Sequence, residues 1–161
     1  MLTGRDCKQT YFASPTLEKG RKQGMGEVRV RARLTNAVDE ALARRGAIKP
    51  EEVRRYEADA LVDAGAVRSV VPPHVAGRLG LALRGQRVAE YADGRKEAVG
   101  VTEPLVIEIE GRDTLEEALV LGDEVIIGQT VLEKLDLLVE CAARRLVPNL
   151  AHPDQPVSKV K

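Results

Sequence analysis

The apolar run Ala60-Leu61-Val62 passes without a break into an acid, Asp63, then into Ala64-Gly65-Ala66. A second apolar stretch, Val70-Val71, follows Ser69 and is closed by Pro72-Pro73. An acid at the end of a buried apolar strand is destabilising unless it is solvated in a cleft, paired, or held by backbone donors. Gly65, two residues on, lets the chain turn sharply and present amides near the carboxylate. Taken alone, an acid-small-Gly sequence at a strand end is an ordinary turn. What lies on either side decides which reading applies.

The flanking sequence reads as one β-dominated domain. Val28, Val30, Ala32 and Leu34 alternate with Arg29, Arg31 and Arg33, the period of a half-buried strand with a solvated basic face. Asn36 to Arg45 has helical character and stops at Gly46, and Pro50-Glu51-Glu52 starts a further short turn. Glu57 to Val62 forms the strand that leads into Asp63. His74 to Leu79 is a short helix ended by Gly80. Extended runs at Arg87–Tyr91 and Ala98–Val101 flank Ala92-Asp93-Gly94, and Asp-Gly between two such runs is a hairpin signal because the tight turn needs positive φ. Further strands are expected at 103–109 and 117–121 and at the apolar run Val125-Ile126-Ile127, with a short helix over Gln129–Leu135. Leu137–Val139 and Arg145–Val147 form a closing strand pair.

Residues 1–24 are polar and lack periodicity, which predicts a disordered leader; the domain spans 25–148, and 149–161 reads as a flexible tail. The core has to be aliphatic, since the chain has no Trp, one Phe and three Tyr. The formal net charge of zero offers no general attraction to nucleic acid or to an anionic membrane, so no nucleic-acid partner is expected. No stretch approaches the roughly 18 apolar residues of a membrane span. Cys7 and Cys141 are a poor disulfide framework and, with His74 and His152, show no metal-ligand spacing. The expectation is a reduced, cytoplasmic chain without a metal.

In its ordered part the chain resembles the retropepsin-like aspartic proteases, particularly their bacterial single-domain relatives. Leu61-Val62-Asp63-Ala64-Gly65-Ala66 followed by Ser69-Val70-Val71 is similar to the family's apolar-apolar-Asp-Thr/Ser-Gly-Ala segment and its following strand. The 87–101 hairpin sits where that family carries its flap. Ile126-Ile127-Gly128 before Val131, Leu132 and Leu135 resembles the family's apolar-apolar-Gly ahead of its helix. The likeness covers roughly residues 27–147.

The resemblance implies a closed acid-protease-like barrel with half an active site per chain, completed in a homodimer by Asp63 from each subunit. It implies peptide or protein substrates and no metal or organic cofactor. Asp63 would act as acid and base, with Gly65 and Ala66 as backbone donors, Ala92, Asp93, Gly94 and Arg95 as the flap tip, and Ile127-Gly128 packed beneath the catalytic loop. One departure is Ala64, where the family carries a hydroxyl that hydrogen-bonds across the dimer axis. A second is Val67-Arg68, where viral relatives carry acids. The rival is a catalytically silent dimerisation or peptide-binding module with the same fold; an unrelated β domain with a turn acid at Asp63 ranks last.

Other chemistry-bearing residues read as structural. Ser69 and His74 have no acid placed to orient the histidine. Asp113, Glu116 and Glu117 look like a solvated acidic cluster near a turn, and Cys141 like a packed thiol.

Overall fold

In the computed structural model, which describes residues 27–160, the first strand β1 (Val28–Asn36) is an interior strand of the sheet, third from one edge. Its Val28, Ala32 and Leu34 are buried while Arg31 and Arg33 are exposed. The basic face is neutralised locally, because Arg29 pairs with Glu27 and Glu124, and Arg33 with Glu57. Strand β2 (Arg55–Val62) runs antiparallel to β1 along its whole length, from Val28 opposite Val62 to Thr35 opposite Arg55.

Between these strands the chain makes helix α1 (Ala37–Arg44) and a single 3-10 turn at Pro50–Glu52. Asn36 caps α1 by accepting from the Asp39 amide at 3.0 Å, as its short polar side chain predisposes it to do. The Asp39 carboxylate, almost fully buried, is held by the Arg54 guanidinium through bonds of 2.8 and 3.0 Å, which keeps its pKa below the usual carboxylate range.

After Asp63 come β3 (Val70–Val71), helix α2 (Pro73–Arg78), β4 (Leu83–Glu90), β5 (Lys96–Thr102), β6 (Leu105–Ile109), β7 (Arg112–Glu116), β8 (Leu119–Val120) and β9 (Ile126–Ile127). Helix α3 (Gln129–Leu135) and the hairpin β10 (Leu137–Glu140) and β11 (Arg145–Pro148) are the last regular elements among the described residues. Among the described residues, nine strands form one sheet in the order β4-β5-β8-β3-β9-β2-β1-β6-β7, and β10-β11 form a second. The first sheet curls around an aliphatic core built on Val62, Leu34, Ile107, Ile127, Val131 and Leu135, all at most 1% exposed. Each such side chain contributes about 1.5–3 kcal/mol by burial. The fold is thus β-dominated with short helices, but β4 and β7 remain as edges, and no pairing between them closes a barrel among the described residues.

Three sequence expectations need correction. The segment read as a turn around an acidic cluster is strand β7, which faces Arg112 and Glu116 inward and leaves Asp113 exposed. Arg112 is buried and donates to the carbonyls of Leu135, Asp136 and His152 at 2.8–3.0 Å, satisfying the C-terminal end of α3. Glu116 is buried too, against Lys134 and the Thr130 hydroxyl of α3, so it is no solvated acid. Cys141 is buried and disulfide-bonded rather than a free packed thiol, and the expectation of a cytoplasmic location loses the support it drew from reduced cysteines. The chain's other cysteine, Cys7, and the expected leader 1–24 lie outside the described residues. Beyond β11, Asn149, His152 and the Val157 amide all bond the Asp136 carboxylate. No helix among the described residues is long and apolar enough to cross a membrane.

Candidate active site

Asp63 follows directly on Val62, the last residue of β2, and its amide donates to the Ile127 carbonyl of β9 at 2.9 Å. The parallel pairing of Leu61 with Ile126 and Val62 with Ile127 delivers the acid to the point where the two strands end side by side. From there the chain makes a loop, 63–69, whose two ends are pinned to consecutive residues. The outgoing end is held where the Gly128 amide donates to the Ser69 hydroxyl at 2.9 Å. Ser69 is 1% exposed and serves this anchor, so the structural reading of its hydroxyl stands.

Gly128 is required by contact rather than by backbone angle, since its φ of −92° suits any residue. A Cβ there would stand 2.6 Å from the Arg68 carbonyl carbon and 2.7 Å from its oxygen. The loop is further stitched to α3 by Gln129 N to Ala66 O at 2.7 Å and Thr130 N to Val67 O at 3.2 Å. The Thr130 hydroxyl lies between the Val67 carbonyl and the Glu116 carboxylate. This links the loop to β7 through the half-buried Thr130 and the buried Glu116, a pair that sequence reading missed. Their only sequence signal is a Thr one turn ahead of Lys134 on a short helix.

Within the loop, the Gly65 amide donates to the Asp63 carboxylate at 2.9 Å, and the Ala66 amide closes a turn on the Asp63 carbonyl at 3.1 Å. Asp63 is half-buried, and no cation among the described residues pairs with it. Burial pushes its pKa above the ordinary carboxylate value, against the opposing pull of the Gly65 and Ala66 amides. A carboxyl in this state holds a proton more readily than a surface acid and is served by backbone donors alone. Ala64, half-buried beside it, packs against the core and offers no hydroxyl.

The hairpin β4–β5 turns through Tyr91 to Arg95. The Tyr91 amide donates to Arg95 O at 2.8 Å, the Arg95 amide to the Asp93 carboxylate at 2.9 Å, and Gly94 sits at φ +85°, the conformation expected from Asp93-Gly94. Strand β4 is exposed along nearly its whole length, with Val88 68% exposed, so the hairpin extends beyond the core. Arg95 stacks over the Tyr91 ring at 4.6 Å. The structure therefore brings Asp63, Ala64, Gly65 and Ala66 together with Ile127 and Gly128 in one substructure. Ala92, Asp93, Gly94 and Arg95 occupy a separate hairpin, two strands removed from β3 in the sheet.

Fold and site together define a β-dominated domain that presents a half-buried acid on a loop pinned between two parallel strand ends. The chain is similar to the retroviral protease-like domain of Ddi1 from Leishmania major, at 18% identity over 88% of this chain and 96% of that one, with a TM-score of 0.48. It is also similar to the foamy viral protease-reverse transcriptase solved with an RNA/DNA hybrid, at 16% identity over 66% of this chain and 11% of that one, with a TM-score of 0.44. The chain thus spans about a tenth of that viral protein's length. No family model matches the chain, and no curated protein matches it. The chemistry below rests on the residues of this chain.

Proposed function

We propose that the chain is half of an aspartic endopeptidase, completed when two copies bring their Asp63 side chains together across a two-fold axis. The observation that carries this reading is the state of Asp63: half-buried, bonded by a backbone amide, without a cation among the described residues, and with a pKa raised by burial. Two such carboxyls at hydrogen-bonding range share one proton, because both cannot easily ionise together. The ionised one takes a proton from a water, which attacks the peptide carbonyl carbon. The protonated one donates to the carbonyl oxygen, and the tetrahedral intermediate collapses with protonation of the leaving amine. The β4–β5 hairpin would cover the extended peptide and exclude water. No metal or organic cofactor takes part in this scheme.

The direct test is digestion of a mixed peptide library from acid to neutral pH, with cut sites read by mass spectrometry. Internal cuts support the endopeptidase. Absence of cuts at every pH moves the reading to the rival, a silent dimerisation or peptide-binding module, which the missing hydroxyl at Ala64 favours.

Ala64 also yields a prediction. Where a hydroxyl would bond across the dimer axis, two bonds are absent per dimer, each contributing on the order of 1 kcal/mol. Ala64→Thr is expected to tighten dimerisation by about tenfold or more and to raise the cleavage rate at low protein concentration. Sedimentation equilibrium and a rate series over dilution check this; unchanged values in both would remove position 64 from the dimer axis.

A further inference from the structure

Arg68 is the one described residue with a buried side-chain nitrogen or oxygen atom, its Nε, that finds no hydrogen-bond partner. The rest of its guanidinium is scarcely better served. Its Nη2 reaches the Glu117 carbonyl only at 3.4 Å. The Glu117 carboxylate is engaged by Arg84 at 3.2 Å, and that of the neighbouring Glu116 by Lys134 and the Thr130 hydroxyl. Both acids of the segment are thus committed to other partners, Glu117 to Arg84 at the base of the β4–β5 hairpin, and Arg68 has no ion pair among the described residues. A partly desolvated arginine with an orphaned donor is an unfavourable resting arrangement. It becomes favourable when a carboxylate arrives, because the planar fork of Nε and Nη2 matches a carboxylate with two parallel hydrogen bonds.

The position of Arg68 limits where such a carboxylate can come from. It sits five residues after Asp63 on the loop whose two ends meet at Ile127 and Gly128, consecutive residues of the chain. Its own carbonyl is the group packed against Gly128. Next to it Val67 is 66% exposed, so the surface here is open. An extended peptide with its scissile bond at Asp63 advances about 3.3 Å per residue, so its residues within a few positions of that bond pass over this loop.

We propose that Arg68 is a specificity-determining residue that selects peptides carrying an aspartate or glutamate side chain within a few positions of the scissile bond. This rests on the endopeptidase reading and names its substrate class. The side chain turns about its terminal torsions to bring its fork to the incoming carboxylate, leaving Arg84 with Glu117. The same carboxylate chemistry has a second source, an acidic side chain of the partner copy, and the test separates the two.

Peptides cut by the full chain are resynthesised in pairs differing only by Glu against Gln at each position flanking the cut, and kcat/KM is measured for each. The expected result is a preference of roughly tenfold or more for Glu at one flanking position. In Arg68→Gln this ratio collapses towards one, and in Arg68→Lys part of it survives. Both members of a pair are read in one preparation, so a reduced folded fraction cancels from the ratio. The preference also fades as pH falls through about 4.3, where the glutamate of the peptide takes up its proton.

An unaltered ratio in Arg68→Gln overturns the proposal. So does an Arg68→Gln variant whose monomer–dimer equilibrium shifts in sedimentation while the ratio holds, which assigns the carboxylate to the partner copy. Should the chain cut nothing, the endopeptidase reading fails on its own. The arginine is then tested by fluorescence anisotropy with labelled peptide pairs, Glu against Gln: tighter binding of the Glu member that Arg68→Gln abolishes upholds it, and equal or absent binding overturns it.

Discussion

Asp63→Asn is expected to lower peptide cleavage by a factor on the order of 10³ or more, since it removes general base and general acid from both halves of the dyad at once. Asparagine keeps the size of the side chain and can still accept from the Gly65 amide, which now donates at 2.9 Å. The loop and its anchors to Ile127, Gly128 and Gln129 should therefore persist, and the loss is chemical rather than structural. Stability should move the other way. Burial raises the Asp63 pKa in the folded chain, so the folded state binds its proton more tightly than the unfolded state. Stability from this group is fully present below the ordinary carboxylate value of about 3.9 and is lost as pH rises through the folded value. Asp63→Asn is thus expected to melt higher than the wild type near neutral pH, with the difference closing at the acid end. Thermal melts across pH beside the cleavage assay check both parts. A variant that keeps more than about a tenth of the wild-type rate takes Asp63 out of the chemistry.

Gly128→Ala is expected to destabilise the domain by about 3 kcal/mol and to abolish cleavage with it. The added carbon meets the Arg68 carbonyl carbon at 2.6 Å, its oxygen at 2.7 Å and the Ser69 nitrogen at 3.0 Å. All three are backbone atoms, so relief means moving the whole 63–69 loop or the start of α3, and with it the Gly128–Ser69 and Gln129–Ala66 hydrogen bonds. Gly77 supplies the contrast: it lies within α2, and nothing lies within 4 Å of a carbon added there. Gly77→Ala should leave stability unchanged or raise it by about 0.5–1 kcal/mol through helix propensity. Denaturant melts of the pair separate a steric requirement at Gly128 from a general intolerance of alanine for glycine. Equal midpoints would mean that the loop does not depend on this close approach.

Where the inward side chains are apolar, the architecture was legible in the sequence. The alternation from Val28 to Leu34, the helix read over 36–45, helix Gln129–Leu135 and the strand leading into Asp63 all follow from periodicity, and all are found, the first helix at Ala37–Arg44 with Asn36 as its cap. Strand β7 was hidden because its pattern is inverted: Arg112 and Glu116 face inward and Leu115 is 55% exposed. Its inward charges answer α3, taking its terminal carbonyls, Thr130 and Lys134, and a period-two scan of hydrophobicity cannot register such partners. Strand β4 reaches back to Leu83, four residues before the expected Arg87, because a hairpin arm exposed on both faces carries no apolar alternation. At the site, Asp63 and the glycines at 65 and 128 stood out in the sequence. The pinning of both loop ends on Ile127 and Gly128 did not, because it joins residues about sixty positions apart. The orphaned Arg68 nitrogen is likewise a property of packing, invisible until Glu117 is seen committed to Arg84.

The central claim, that two chains each supply one Asp63 to a single site, is tested most directly by mixing. Wild-type and Asp63→Asn chains are combined at fixed total concentration, allowed to exchange, and assayed on one cut peptide. If the site needs both carboxyls, only dimers of two wild-type chains are active, and an equal mixture keeps about a quarter of the wild-type rate. A rate of about half, falling in proportion to the wild-type fraction, would show that each chain works alone and would contradict the shared dyad.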